Sequence, residues 1–350
     1  MNKELTFIRL ITCLLLLVFL GTTVQVVAQD IHFSQFYHSP LNLNPARTGV
    51  FQGDKRFVGN YRNQWSNVPV EYMTFSGAYD MKLFREGLDH STFGVGLLFN
   101  YDQAGDSRLA LTNLGLNVAY THRLGRRNFL SVGAGLGFSN RGYSTDNLTT
   151  PSQFNGDIFS SSFATGEEGL FRNENIFFID FSAGLNYHYQ VPKKRTRVDL
   201  GVAMLHINEP IINFYGDGTI ALPKRINFFG EATFMVARNL DLIGRALYQQ
   251  QTKYNELLFG VAGRIHLKKD RAFNDLALQL GISVRMNEFT DAFIPNIELH
   301  YNRWLFGLSY DINVSEFSIA TNGHGGPEFA VMYKIFNVRT LPVFKQCPIY

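Results

Sequence analysis

The sequence predicts an all-β protein: an antiparallel, up-and-down barrel of about 14 transmembrane strands, with roughly 12–16 compatible with the pattern, crossing an outer membrane. Three observations carry this expectation. Apolar residues alternate with small or polar ones at a period of two through most of the chain. The alternating segments run about nine to fourteen residues, whereas strands of soluble proteins average roughly five or six. The connections between them also alternate, short and basic against longer and more acidic or glycine-rich, as the two sides of an outer-membrane barrel do.

The chain opens with Lys3 and Arg9 around the uncharged run "LITCLLLLVFL". That run is too short to span a bilayer as a helix, which takes about 20 residues. A basic start, a short apolar core and small residues beyond it read as a cleavable export signal over residues 1–28, with the cut expected between Ala28 and Gln29. Beyond that cut the only cysteine is Cys347, so an intramolecular disulfide is excluded for the exported chain. A formal charge of +3 with 17% charged residues gives no basis for nucleic-acid binding.

Residues 29–55 are neither an alternating strand nor an amphipathic helix. In "SPLNLNPARTGVF", Asn44 suits a helix N-cap, Pro45 the first helical position, and Gly49 a left-handed closing residue, with Ala46 inside the turn. One short helical turn with irregular flanks is expected. Aromatic residues and low charge argue against a disordered tail. The segment from Phe33 to Gly49 is expected to begin in the periplasm below the first strand and tuck into or against the periplasmic mouth, with Phe36 and Tyr37 packing there.

The barrel is expected over residues 56–336. In the first strand, residues 56–65, Phe57, Gly59, Tyr61, Asn63 and Trp65 share one side and Val58, Asn60, Arg62 and Gln64 the other. Residues 72–80 set Met73, Phe75 and Tyr79 against Thr74, Ser76 and Asp80, and the third segment sets Phe93, Val95, Leu97 and Phe99 against Gly94, Gly96 and Asn100. The fourth alternates Leu114, Leu116, Val118 with Gly115 and Asn117, and the fifth alternates Leu130, Val132, Ala134, Leu136 with Ser131, Gly133, Gly135 and Gly137. The sixth covers residues 176–190. Further candidates are residues 197–208, 225–236, 240–250, 256–267, 275–287, 292–301, 303–311 and 328–336. Two are irregular: residues 240–250 place Ile243 and Leu247 among polar neighbours, and Pro295 cannot donate to a ladder. The second face is rich in Gly, Ser, Asn and Thr, which suits a lumen, and aromatics such as Tyr79, Tyr120, Tyr187, Tyr301 and Trp304 recur near segment ends, as in an interfacial girdle contacting outer-membrane lipid.

An even strand number places both termini in the periplasm. The basic turns with Arg126 and Arg127, Lys193 and Lys194, and Lys268 and Lys269 then fall on the periplasmic side. The longest external loop, residues 142–175, carries Tyr143, Phe154, Phe159 and Phe163, aromatic anchors of the kind that dominate protein interfaces. The other long loops are residues 209–224 and 312–327, and residues 337–350 form a C-terminal tail. No catalytic set, cofactor motif or metal framework is found. The glycines of "GAGLG" sit at alternate strand positions and are expected to face a crowded lumen rather than a phosphate.

Several strings carry a family resemblance. "FSQFYHSPLNLNPARTG" (33–49) followed by "YRNQW", which includes Arg62, Gln64 and Trp65, then "SYD", "GGPEFAVMY" and the closing "CPIY", together resemble the PorP/SprF family. The resemblance implies a non-enzymatic outer-membrane barrel of the type IX secretion system of Bacteroidetes, working with secretion and gliding components. It implies partners among periplasmic and outer-membrane secretion components, and an exported cargo with a C-terminal targeting domain, such as a gliding adhesin, held at the surface. "NPA" in an N-terminal segment also resembles the FadL-like transporters of hydrophobic small molecules, whose N-terminal hatch is longer and more helical than residues 29–53 here.

Overall fold

The structure is a computed structural model describing residues 30–64, 72–83, 91–105, 107–144, 149–166, 174–214, 220–269, 275–287, 290–314 and 323–336. Fourteen strands among them close into one antiparallel barrel: β1 Lys55–Gln64, β2 Tyr72–Leu83, β3 Ser91–Ala104, β4 Leu109–Arg123, β5 Asn128–Gly142, β6 Asn175–Gln190, β7 Arg197–Leu205, β8 Arg225–Ala237, β9 Leu240–Gln251, β10 Tyr254–Lys269, β11 Asp275–Met286, β12 Thr290–Tyr301, β13 Trp304–Asn313 and β14 His324–Ile335. Each strand pairs with its sequence neighbours, and β1 closes the sheet against β14, with Arg56 opposite Lys334 and Arg62 opposite Glu328. Closure leaves no sheet edge along the wall, which is what a bilayer demands of strands.

The alternation is oriented as a membrane barrel requires. Along β4, Leu114, Leu116, Val118 and Tyr120 are exposed while Gly115, Asn117 and Ala119 are buried. β13 repeats the same strict alternation over its whole length. Aromatics gather where β1, β2, β3, β4, β13 and β14 meet one rim: Phe57 on Tyr79, Phe93 on Tyr120, and Trp304 on Tyr333, with ring centroids 4.5, 5.1 and 4.4 Å apart. Those strand ends belong to the turn rim, where β8–β9 and β12–β13 are joined by tight turns. The β5–β6, β7–β8 and β13–β14 connections leave from the opposite, loop rim.

Two strand boundaries differ from expectation. β7 stops at Leu205 because His206 takes a left-handed conformation (φ 57°). The side chain of Asn208 then caps the edge of β6, accepting from the Phe181 amide (3.0 Å) and donating to the Ile179 carbonyl (2.7 Å). β14 starts earlier than residue 328, taking in Gly325, Gly326 and Pro327. Pro327 is tolerated because it pairs with Tyr310 of β13 just beyond the point where β14 leaves β1. Pro295 stays within β12, opposite Ile282, at a gap in the β12–β13 ladder.

The N-terminal segment corrects one expectation. Residues 31–54 run through the lumen from one rim to the other. Ile31 accepts a hydrogen bond from Arg225 at the loop-rim end of β8 (2.8 Å), and Asp54 donates to Ile335 at the turn-rim end of β14 (2.8 Å). The segment therefore does not begin below the first strand: its first described residues lie toward the loop rim, opposite the rim at which β1 starts. The reason is long-range: polar groups high on β13 and β14 hold Ser34 and Gln35. Ala28, Gln29, Trp65, Cys347 and the tail 337–350 lie outside the described residues.

Candidate functional site

The candidate site is the luminal plug and its anchors. Its upper anchor is built from two carboxylates on adjacent strands. Glu328, fully buried on β14, accepts from the backbone amides of Ser34 and Gln35, both at 2.8 Å. Asp311 on β13 accepts from Ser34 Oγ (2.9 Å), Arg62 Nη2 (2.9 Å) and Arg285 Nη1 (2.7 Å). Arg62 donates a further bond to the His32 carbonyl (2.8 Å), and Gln35 Nε2 reaches Ser309 Oγ (3.0 Å). Each charge of this upper anchor thus has a partner, which is the condition for keeping ions away from water.

Below the anchor the segment builds its own core. Phe36, Tyr37 and Leu43 pack on Phe229, Leu247, Leu258, Ala292 and Ile294 of the wall. Ile243 and Leu247 break the polar pattern of β9 yet are essentially fully buried, and Leu247 shares a core with Phe36, Tyr37 and Leu43 of the plug. The Arg245 guanidinium stacks over the Tyr37 ring at 3.3 Å and donates to Glu298 (3.1 Å), which also receives His38 at 3.4 Å.

The turn expected at Asn44 is formed. Asn44 Oδ1 accepts from the Ala46 amide (2.8 Å) and a 3₁₀ turn covers Pro45–Arg47, with Gly49 closing it at φ 74°. The Asn44 side chain also donates to wall carbonyls of Leu185 (2.9 Å) and Val202 (3.1 Å), so the cap is a wall anchor as well. The turn lies directly on glycines. A Cβ on Gly133 would collide with the backbone of Pro45 and Ala46, and one on Gly94 with the Thr48 carbonyl. Gly133 belongs to "GAGLG", whose lumen-facing crowding is what the alternation implied. Arg56 closes the lower end, bidentate on Asp80 (2.8 and 2.7 Å), while Asp80 also accepts from the Gly49 amide (2.8 Å).

Phe33, Phe36, Tyr37, Asn44, Pro45, Ala46 and Gly49 are thus brought together in the lumen, and Arg62 joins them. Gln64 ends β1 opposite Tyr72. Reading the sequence missed the roles of Ser34, Gln35, Arg285, Asp311 and Glu328. A usable signal was present: Asp311 and Glu328 are acidic residues inside transmembrane strands, and such groups need partners.

The loop residues separate into two groups. Phe154 and Phe159 form a bridge at the tip of a small hairpin, held by Asn155 Oδ1 accepting from the amides of Asp157 (3.0 Å) and Ile158 (2.9 Å). Phe154, Ile158 and Phe159 each expose more than half of their surface, and Phe163 lies close in sequence and partly exposed. Tyr143 is elsewhere, packed edge-on against Phe214 of the next long loop (5.0 Å). On the turn rim, Arg126, Arg127, Lys193 and Lys194 are exposed. Lys268 and Lys269 end β10, just after a register shift.

Solved structures similar to this chain are outer-membrane barrels of low identity. They include the toluene transporter TbuX of Ralstonia pickettii (13% identity, covering 85% of this chain and 94% of that one, TM-score 0.45). The toluene transporter TodX of P. putida (12%, 85% and 93%, 0.49) and a Pseudomonas aeruginosa FadL homologue (10%, 83% and 92%, 0.48) are comparable. No curated protein sequence matches. The family model for the type IX secretion system membrane protein PorP/SprF matches residues 26–333, spanning both the plug and nearly the whole barrel, and the chain belongs to that family.

Proposed function

We propose that this outer-membrane barrel of the type IX secretion system is a sealed, non-enzymatic docking scaffold: its loop rim faces outward and holds an exported cargo with a C-terminal targeting domain, while its turn rim and plug engage periplasmic and outer-membrane secretion components. The observation that carries this is the combination of a lumen threaded end to end by residues 31–54 with an asymmetric pair of rims, one presenting an ordered apolar tip and the other basic turns. A cargo tip needs a few rigid apolar anchors displayed clear of the membrane, and Phe154, Ile158 and Phe159 supply them. The short turns on the other rim suit the periplasmic side of such barrels. The charged luminal face supports this reading over a FadL-like path for hydrophobic solutes, which would have to pass the Arg62–Asp311–Arg285 and Arg245–Glu298 pairs.

The test is deletion of residues 143–174, joined by a short turn, in the native host. The barrel is expected to assemble and the cargo to appear in the culture medium instead of on the cell. Normal surface attachment of cargo in that strain would remove the loop from the account.

A further inference from the structure

Beneath the plug the lumen opens into a vestibule of about 780 Å³, lined from the underside of the plug (Tyr37, Arg47) down to the strand ends of the turn rim (Ser91, Asp275). Nine of its lining residues are Lys or Arg and five are Asp or Glu, so its sign is positive. Four of the five carboxylates are already engaged: Asp199 with His188, Glu231 with Arg197, Asp241 with Arg195 and His266, and Glu298 with Arg245. The cations are not all matched. Among the described residues Arg264 contacts only the neutral Gln279 (3.0 and 2.8 Å), and the Lys334 ammonium has no carboxylate within ion-pair distance. Lys334 also lies directly across the ladder from Arg56, and since Asp80 is taken up by Arg56, the Lys334 side of this like-charge pairing is the one left without a counter-ion.

Buried donors point the same way. Arg47, 7% exposed in the vestibule roof, has no protein acceptor for Nε or Nη1, and the Arg197 Nε and Tyr37 hydroxyl also lack one. Glu231 lies 3.9 Å from Arg47 Nη2. Buried N–H groups without acceptors are costly, and oxygen-rich anions satisfy them with charge-assisted bonds. The positive field continues outward onto Arg126, Arg127, Lys193 and Lys194. A field that runs from a deep cleft across the rim matches an extended acidic chain better than a single small ion, since one ion could answer only one part of it.

We infer that the vestibule is a docking site for an acidic peptide segment of a separate protein, entering from the turn rim, with Arg264 and Lys334 binding its carboxylates. The chain's own residues 337–350 do not fit: they carry Arg339 and Lys345 and no Asp or Glu. That the partner is periplasmic rests on the orientation proposed above; the binding chemistry does not.

The probe is a fluorescein-labelled dodecapeptide of alternating Glu and Gly, titrated by anisotropy into the purified full chain in neutral detergent, with heat-modifiable gel migration to show the barrel is folded. The expected result is binding that weakens with salt, falls roughly tenfold or more in Arg264→Gln/Lys334→Gln, and changes only about two- to threefold in the outer-turn variant Arg126→Gln/Arg127→Gln. Should the vestibule variant not fold, Thr92→Cys in a Cys347→Ser background, labelled with a bulky maleimide at the vestibule mouth, is expected to block binding in an otherwise unaltered barrel. No peptide binding, binding indifferent to both vestibule changes, or displacement of the peptide by tripolyphosphate at equal concentration would overturn the inference; the last would make the site one for small polyanions. Because these measurements use isolated protein, their failure leaves the rim orientation and cargo reading to be judged separately in cells.

Discussion

Replacing Asp311 with alanine is expected to free the N-terminal segment from the barrel wall and cost about 3 kcal/mol or more, the range for removing one member of a buried ion cluster. The carboxylate accepts from three groups at once, so its loss leaves the Arg62 and Arg285 guanidinium groups with one charge fewer between them and Ser34 Oγ without its acceptor. Arg62 would keep the His32 carbonyl and a distant Glu328 (3.9 Å), and Arg285 would keep Asp291 (2.7 Å). The wall itself, paired all round, should survive. Trypsin is the direct readout: Arg47 is shielded in the native lumen and should become cleavable in the variant, with a fall in the thermal unfolding temperature. Asp311→Asn keeps the shape and loses the charge, and should fall between the two. Unchanged protease resistance and unfolding temperature would show that the anchor carries no load.

The double change Gly94→Val/Gly133→Val should open the lumen. At both positions the obstacle to a side chain is plug backbone rather than a movable side-chain end, namely Pro45–Ala46 at Gly133 and Thr48 at Gly94. Overpacking of this kind costs roughly 1–3 kcal/mol per site, and the least costly relief is for the plug turn to move, because valine suits the strand positions themselves. In planar bilayers the wild-type barrel is expected to be nearly silent and the double variant to conduct. Equal conductance of the two proteins would mean that the turn is not what blocks the path.

Much of the barrel was legible because each signal is local. The period of two in β4 or β13 identifies the lipid face directly, and the Asn44-Pro45 pair with Gly49 specifies a capped turn without tertiary help. The depth of the plug was not legible. Ser34 and Glu328 are separated by nearly the whole chain, and nothing near Phe33 states which rim its partners occupy. Ile243 and Leu247 were visible as exceptions in β9, but the meaning of Leu247 needed the segment that packs on it, since an inward apolar residue is an anomaly in an empty lumen and a core residue in a filled one. The aromatics of the longest loop were similarly half-readable: spacing does not show that Phe154 and Phe159 face each other across a hairpin while Tyr143 serves a neighbouring loop.

The threaded lumen, its anchors and the rim asymmetry support one central claim, that the barrel is a holder for exported protein rather than a conduit for small molecules. Affinity purification of the native protein from gently solubilised outer membranes, followed by mass spectrometry, tests it most directly. The account predicts a large exported protein with a C-terminal targeting domain among the co-purifying species, together with secretion components, and loss of the cargo alone when residues 143–174 are deleted. Recovery of the barrel without any such protein, from cells whose deletion strain loses uptake of a hydrophobic solute, would contradict it.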